Sequence, residues 1–523
     1  MASWLWAVMA IMFSAVVLGR YCWIDRFKDP QLPLVGSEIG GKYKRREHFM
    51  RHAWDLFRKG SRRFPDKAWR ITSDSGELIV IPPKFADEVR QNEDVFDRTP
   101  SIENLLETRY TGVSVTSPLL THIVKADLTR NLGRINFGLS VEVQHTVTAE
   151  LPNADTWTPV NIVSALQRIV AIVSGFVFMG PELCRDEGYI HSAINFTMDV
   201  SNASLALKRW PVALRPLVQY TIPELRTLWE HKRRAFEFLR PVIHERKQLR
   251  DMAKSGDPDA QRKLPDDVLQ WAINKADDFG VGSDDEIAFL QLELSLGAIH
   301  TTTNTAAHII YDIVGNCPEV IPELRDEIRQ HTDPQTGTIT AQGLYQMKLL
   351  DSVMRESQRM SPGVPHRFIR RMKSDFHLSD GTKLPKHAMV AVNVLDTFTN
   401  PAYVGSDPER YDPYRFVDWR THRRSDPLGL QNNKEAAYQF VSVTRENMWF
   451  GWGKHACPGR FFAANEIKLV LASLLLNYDI KMPDDAGIRG RYPNLEMGQM
   501  SFPDPTRNIM VRRVERSGAA SAQ

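Results

Sequence analysis

The sequence is poor in cysteine. Its 523 residues hold four, Cys22, Cys184, Cys317 and Cys457, far apart and with no C-x-x-C pair. That spacing argues against a disulfide framework and a structural zinc site, excludes the C-x-x-C-H attachment of c-type haem, and fits a reducing compartment. An excess of one charge is also lacking: the formal net charge of +3 gives no bias towards nucleic acid. From about residue 45 to 510 there are no repeats, low-complexity tracts or linkers. Length alone would allow three or four domains, but nothing divides this stretch. No basic side chain precedes the first apolar run and no small-x-small cleavage site ends it, which weighs against a cleaved leader.

That first run, Ala2–Gly19, has 18 uncharged, mostly apolar residues, enough for a short membrane-spanning helix. Trp4, Trp6, Tyr21 and Trp23 fall near its two ends, and Arg20, Arg26 and Lys28 follow it. Aromatic belts and positive residues on the C-terminal side predict an anchor with the rest of the chain cytosolic. The sequons at Asn195 and Asn202 are then chance triplets. The expected organisation is a transmembrane anchor (1–19), a basic, Pro/Gly-rich hinge (20–44), one large domain (45–510) and a C-terminal tail (511–523).

The large domain reads as mainly α with a small β subdomain. A run from Asp284, with Asp as N-cap and Gly315 near the end, predicts a helix of about 30 residues, roughly 45 Å long, that crosses the core. Shorter helices are expected over Pro322–Gln330, Leu349–Met360 and Phe461–Asn477. An Asp-Gly turn between short alternating runs predicts a hairpin over Phe376–Leu384, with a further strand over Met389–Leu395.

The strongest local signal is Phe450-Gly-Trp-Gly-Lys-His-Ala-Cys-Pro-Gly-Arg460. Its glycines and proline make a tight loop, and Cys457 stands just before a helix. Backbone N–H groups and the helix N-terminus there are expected to lower the thiol pKa and favour the anion. Two other readings are weaker. Cys184 and Cys317 are expected to be inert packing. Gly451-x-Gly453-x-x-Ala456 fits a dinucleotide loop only within a βαβ unit, and none is in sight.

With Phe450, Gly453, His455, Cys457 and Gly459 at its five fixed places, this loop resembles that of the cytochrome P-450 family, F-x-x-G-x-(R/H)-x-C-x-G. The resemblance implies the P-450 fold, haem b with Cys457 as axial thiolate, Phe450 packed near the sulfur and His455 near a haem propionate. Glu356 and Arg359 form an E-x-x-R pair at a spacing shared by Glu182/Arg185 and Glu230/Arg233, and such pairs are usually surface pairs. Their place, 101 residues before Cys457, and Arg415 in Tyr411-Asp-Pro-Tyr-Arg-Phe416, resemble the family's buried network behind the haem loop. Gly297-Ala-Ile-His-Thr-Thr302 resembles the family's oxygen-activating segment, so Thr301 is expected to handle a proton at the distal oxygen. His300 stands where an acid is usual; it is either a proton relay or a satisfied core histidine. For the propionates, Arg370 aligns best, with Arg367 and Arg371 as neighbours. Lys125 and His122 fall where the family has W-x-x-x-R, without the Trp.

Thiolate donation favours O–O cleavage. The resemblance therefore implies a monooxygenase using O2 and, as the chain carries no flavin or NADPH domain, a membrane-bound NADPH-cytochrome P-450 reductase docked near Lys454 and Arg460. Thr301 argues against an O2-independent isomerase or a haem sensor. Arg209-Trp-Pro-Val-Ala-Leu-Arg-Pro216, GKHACPGRFFAA and His-Thr-Thr resemble fungal enzymes related to ent-kaurene oxidase. That implies a lipophilic terpenoid, indole diterpene or meroterpenoid substrate, with a fatty acid or alkane as the alternative. The basic and apolar stretch around Trp210 is suited to a membrane surface.

Overall fold

The structure, a computed structural model, describes residues 31–114, 117–430, 435–484 and 490–514. The anchor expected over 1–19 lies outside them. Among the described residues one helix, Ile162–Met179, is long and apolar enough to cross a membrane, and it is mostly buried inside the fold.

The principal helices are α1 (Lys42–Arg63), α2 (Thr129–Glu150), α3 (Ile162–Met179), α4 (Glu187–Lys208), α5 (Pro223–Lys254), α6 (Asp284–Asn316), α7 (Lys348–Met360), α8 (Arg415–Arg420) and α9 (Arg460–Asn477). The main sheet uses β1 (Leu34–Val35), β2 (Trp69–Ser73), β3 (Gly76–Ile81), β4 (Phe96–Asp97), β5 (His366–Met372) and β6 (Met389–Asn393), in the order β1-β2-β3-β6-β5-β4. A smaller sheet joins β7 (Tyr478–Lys481) to β8 (Ile509–Arg513) and Thr158–Val160. The architecture is mostly helical with a smaller β part. The Phe376–Leu384 hairpin pairs Phe376 with Leu384 and His377 with Lys383.

α6 is the central beam. It has 33 residues and packs on α3, α4, α5, α7 and α9. Its N-cap is Ser283 rather than Asp284: Glu286 N–H donates to Ser283 Oγ at 3.1 Å, and Ser283 N–H donates to Glu286 Oε2 at 3.0 Å. This reciprocal box satisfies two of the open N–H groups at the helix start, which a bare Asp at the first helical position would not. At the other end, a side chain on Gly315 would put its Cβ 2.5 Å from the Arg491 backbone, so only glycine allows that approach.

Three boundaries differ from expectation. The strand predicted over Met389–Leu395 ends at Asn393, where Leu395–Thr399 turns into a short helix. Residues 34–44, assigned to the hinge, are folded: Leu34 and Val35 pair in parallel with Arg70 and Ile71, and α1 starts at Lys42. Likewise β8 carries 511–513, read as tail, into a sheet against β7.

Candidate active site

The cysteine loop is built by glycines where the chain must turn. Gly451 and Gly453 have φ of 83° and 70°, in the left-handed region that costs other residues strain. Cys457 N–H donates to the Phe450 carbonyl at 2.7 Å, closing the loop, and the Phe450 ring meets Phe440 edge-on at 5.5 Å. α9 then starts at Arg460. The N–H groups of Gly459 and Arg460 both reach the Cys457 sulfur. Gly459 itself has an ordinary φ of −85°, and it packs against Val124.

The Cys457 side chain is solvent-accessible, yet protein crowds the sulfur closely. That crowding pushes its pKa up, and the N–H donors, Arg460 and Arg98 only partly offset it. The N–H groups at the helix start do lower it, as expected, but desolvation of the anion outweighs them and the net shift is upward. A bound metal reverses the balance, because a coordinating thiol is deprotonated outright. Cys184 and Cys317 are buried and pushed above the ordinary thiol range, to about 11 and further, as expected for inert packing cysteines.

Cations gather on one side of this loop. Arg98 interacts electrostatically with Cys457, and both Arg98 and Arg370 act on His455. Arg370 is buried and its pKa is pushed down to about 10, by burial first and then by Arg98. Its Nη1 donates to the Ile369 carbonyl at 2.8 Å, but Nε and Nη2 find no partner. A buried guanidinium with unmet donors beside another cation calls for an anion. Of its neighbours, Arg367 donates to the Pro362 carbonyl at 2.8 Å and lies over Trp449, and Arg371 is exposed. A register irregularity in β5 between Arg367 and Arg370, with Phe368 at φ 59°, gives the strand its local aim. Arg98 was not legible in the sequence, since no motif contains it. The pairing of Phe96 with Met372 and Asp97 with Arg371 brings it beside Arg370.

Lys125 is exposed on a π-helical segment, Ile123–Leu128, whose Val124 packs on Gly459. His122 faces Lys275, at 3.2 Å. Lys454 pairs with Glu93, and Arg460 Nη1 donates to the Cys457 carbonyl at 2.9 Å.

In α6, Gly297 and Thr301 are exposed while Thr302 and Thr303 are buried. A Cβ added at Gly297 would meet nothing within 4 Å, so the middle of a core helix has an open face. Thr301 Oγ1 donates to the Gly297 carbonyl at 2.7 Å, which leaves its lone pairs free to accept. His300 turns the other way. Its Nε2 lies 2.7 Å from the Ile194 carbonyl, so this nitrogen carries the proton, and burial lowers its pKa.

Behind the loop, Glu356 takes Arg359 Nη2 at 2.7 Å and Nε at 2.8 Å, Arg415 Nε at 3.2 Å and the Asp412 N–H at 3.0 Å. The two arginines spend their other donors on carbonyls of Phe398, Val404, Ser406 and Pro408. All three charged side chains are buried.

The family model for cytochrome P-450 matches residues 136–507, most of the chain. The chain belongs to the cytochrome P-450 family. It is 33% identical to the cytochrome P-450 monooxygenase braC of Annulohypoxylon truncatum over 97% of each chain. It is 34% identical to pyr3 of Aspergillus fumigatus, over 90% of this chain and 86% of that one, and 31% identical to paxP of Penicillium paxilli, over 93% and 89%. As a P-450 monooxygenase it is an oxidoreductase that uses O2, a small-molecule substrate and a redox partner, and the family implies haem-thiolate iron.

The residues present fit that group. Cys457, with the N–H groups of Gly459 and Arg460 at its sulfur, offers the single thiolate that haem-thiolate iron would need. The unmet donors of Arg370, with Arg98 and His455 beside them, suit the macrocycle's carboxylates. The open face at Gly297 suits a flat ring.

Proposed function

We propose that this P-450 is a membrane-anchored monooxygenase that inserts one O2-derived oxygen into a lipophilic terpenoid, indole diterpene or meroterpenoid. Its electrons come from NADPH-cytochrome P-450 reductase, with the anchor at 1–19 in the endoplasmic reticulum membrane and the domain at 45–510 cytosolic. The observation that carries the lipophilic part of this reading is an exposed apolar set between α4 and α5. Trp210, Val212, Leu217 and Tyr220 are 43–64% exposed, and Arg209 and Arg226 flank them. A basic and apolar segment of this kind suits the membrane surface and entry of substrate from it. The terpenoid class rests on the resemblance of Arg209–Pro216, the cysteine loop and His-Thr-Thr to ent-kaurene oxidase-like enzymes.

In this reading Cys457 ligates the iron, and Arg370, Arg98 and His455 hold the carboxylates, with Lys125 as a further candidate. The bound haem supplies O–O cleavage chemistry. Thr301 accepts and passes a proton through Oγ1, held in place by the Gly297 carbonyl. Glu356, Arg359 and Arg415 keep the segment behind the loop in register.

Product profiling in reductase-containing microsomes, with terpenoid, indole diterpene, fatty-acid and alkane substrates, tests the substrate class. Oxidation of terpenoids alone is expected; oxidation of fatty acids or alkanes alone overturns it. Protease added to sealed microsomes is expected to digest the domain, and glycans on Asn195 would reverse the topology.

A further inference from the structure

Asp351 lies on α7, five residues before Glu356. At about 100° per residue the two carboxylates stand about 140° apart around the helix and face different neighbours. The partners of Glu356 all lie between residues 359 and 415. Those of Asp351 reach further along the chain. Oδ1 receives Lys468 Nζ at 2.8 Å; Oδ2 receives Arg420 Nη1 and the Phe440 N–H, each at 3.0 Å. Asp351, Arg420 and Lys468 are all buried. Lys468 also donates to the Leu344 carbonyl at 3.0 Å, which fixes the ammonium in place.

These partners flank the cysteine loop on both sides. Phe440 precedes it, and its ring meets the Phe450 ring, whose residue accepts the Cys457 N–H through its carbonyl. Lys468 follows it on α9, the helix whose first N–H groups reach the Cys457 sulfur. One carboxylate therefore ties the chain entering the loop to the helix leaving it.

We propose that Asp351 is a positioning residue that sets the geometry of the Cys457 sulfur through Phe440 and Lys468, separately from the Glu356 network. Without its charge, Lys468 loses its ion-pair partner, Arg420 loses one of its bonds, and Arg355 loses its foremost stabilising neighbour. The Phe440 N–H loses an acceptor as well, so both flanks of the loop are released together.

The test uses full-length holoenzyme in its reduced, carbon monoxide-bound form. In Asp351→Asn, haem per protein should stay near wild type. The share of that haem showing the red-shifted Soret band of thiolate ligation should fall severalfold, with a rise in reduction potential as thiolate donation weakens. Glu356→Gln should do the reverse, losing haem but keeping the band in what remains. If Asp351→Asn yields no holoprotein, Lys468→Met decides, because it cuts the tether to α9, together with the Leu344 bond, and leaves Arg420 and Phe440 bound to Asp351. A smaller fall in the same band is expected there. A wild-type band share and potential in either variant overturns the proposal. Absence of the band from wild type would instead sink the haem-thiolate reading itself.

Discussion

Glu356 and Arg359 face each other in a two-pronged ion pair, with contacts of 2.7 and 2.8 Å and neither residue more than 4% exposed. Removing one partner strands a charge at a cost of ~3–5 kcal/mol, a large share of a typical net stability of ~5–15 kcal/mol. Glu356→Ala and Arg359→Ala should each lose haem incorporation rather than slow turnover, measured as haem per protein after purification. Glu230 and Arg233 share the spacing but lie exposed on α5, and Glu230→Ala should leave haem content and melting temperature near wild type. Normal haem content in both Glu356 and Arg359 variants would contradict the first expectation.

Cys457 should be the axial ligand. Reduced enzyme with carbon monoxide should show the red-shifted Soret band, and Cys457→His should lose it. Retention of the band in that variant would assign the iron to another residue.

Thr301→Ala should bind substrate normally, seen as the usual spectral shift, because among the described residues Oγ1 bonds to carbonyls of its own helix. Product per NADPH should fall and hydrogen peroxide rise, since a hydroxyl that can pass a proton is gone. His300→Ala should behave differently. It removes one donor from the Ile194 carbonyl, which lies within α4, so it should lower stability by about 0.5–1.5 kcal/mol and leave coupling unchanged. Coupling losses of equal size in both variants would restore His300 as a proton relay.

Glu466 on α9 is fully buried, bonded by Ser174 Oγ at 2.8 Å, and burial pushes its pKa up to about 8. The unfolded chain ionises it near the ordinary value of about 4.3. Between those values the folded state holds the extra proton, so stability falls as pH rises from about 4 towards 8. Each unit removes up to about 1.4 kcal/mol. Glu466→Gln should flatten this slope: its melting temperature should gain on wild type from pH 5 to pH 8. Parallel pH profiles for the two proteins would mean that Glu466 is ionised in the folded state.

The long helix, the short ones after it and the hairpin were legible because each is a local pattern: an apolar period, a capping group or an Asp-Gly turn between alternating runs. The start of α6 was misread by one residue because Ser283 and Glu286 cap reciprocally, and Asp284 looks as good a cap in one dimension. Residues 34–44 resembled a hinge because their prolines and glycines say nothing of the distant Arg70 and Ile71 that pair with them.

The sequence by itself determined the class of protein: a cysteine loop with five residues at set spacings, an E-x-x-R pair and a threonine in a long helix are all written within short windows. Only the tertiary structure decided which way charged and polar groups turn. It brought Arg98 beside Arg370 through a two-residue strand and joined Asp351 to Lys468, 117 positions away. It also spent His300 on the Ile194 carbonyl. These choices depend on long-range packing, where burial penalises every unpaired charge or donor, and no local pattern encodes which distant partner will satisfy it.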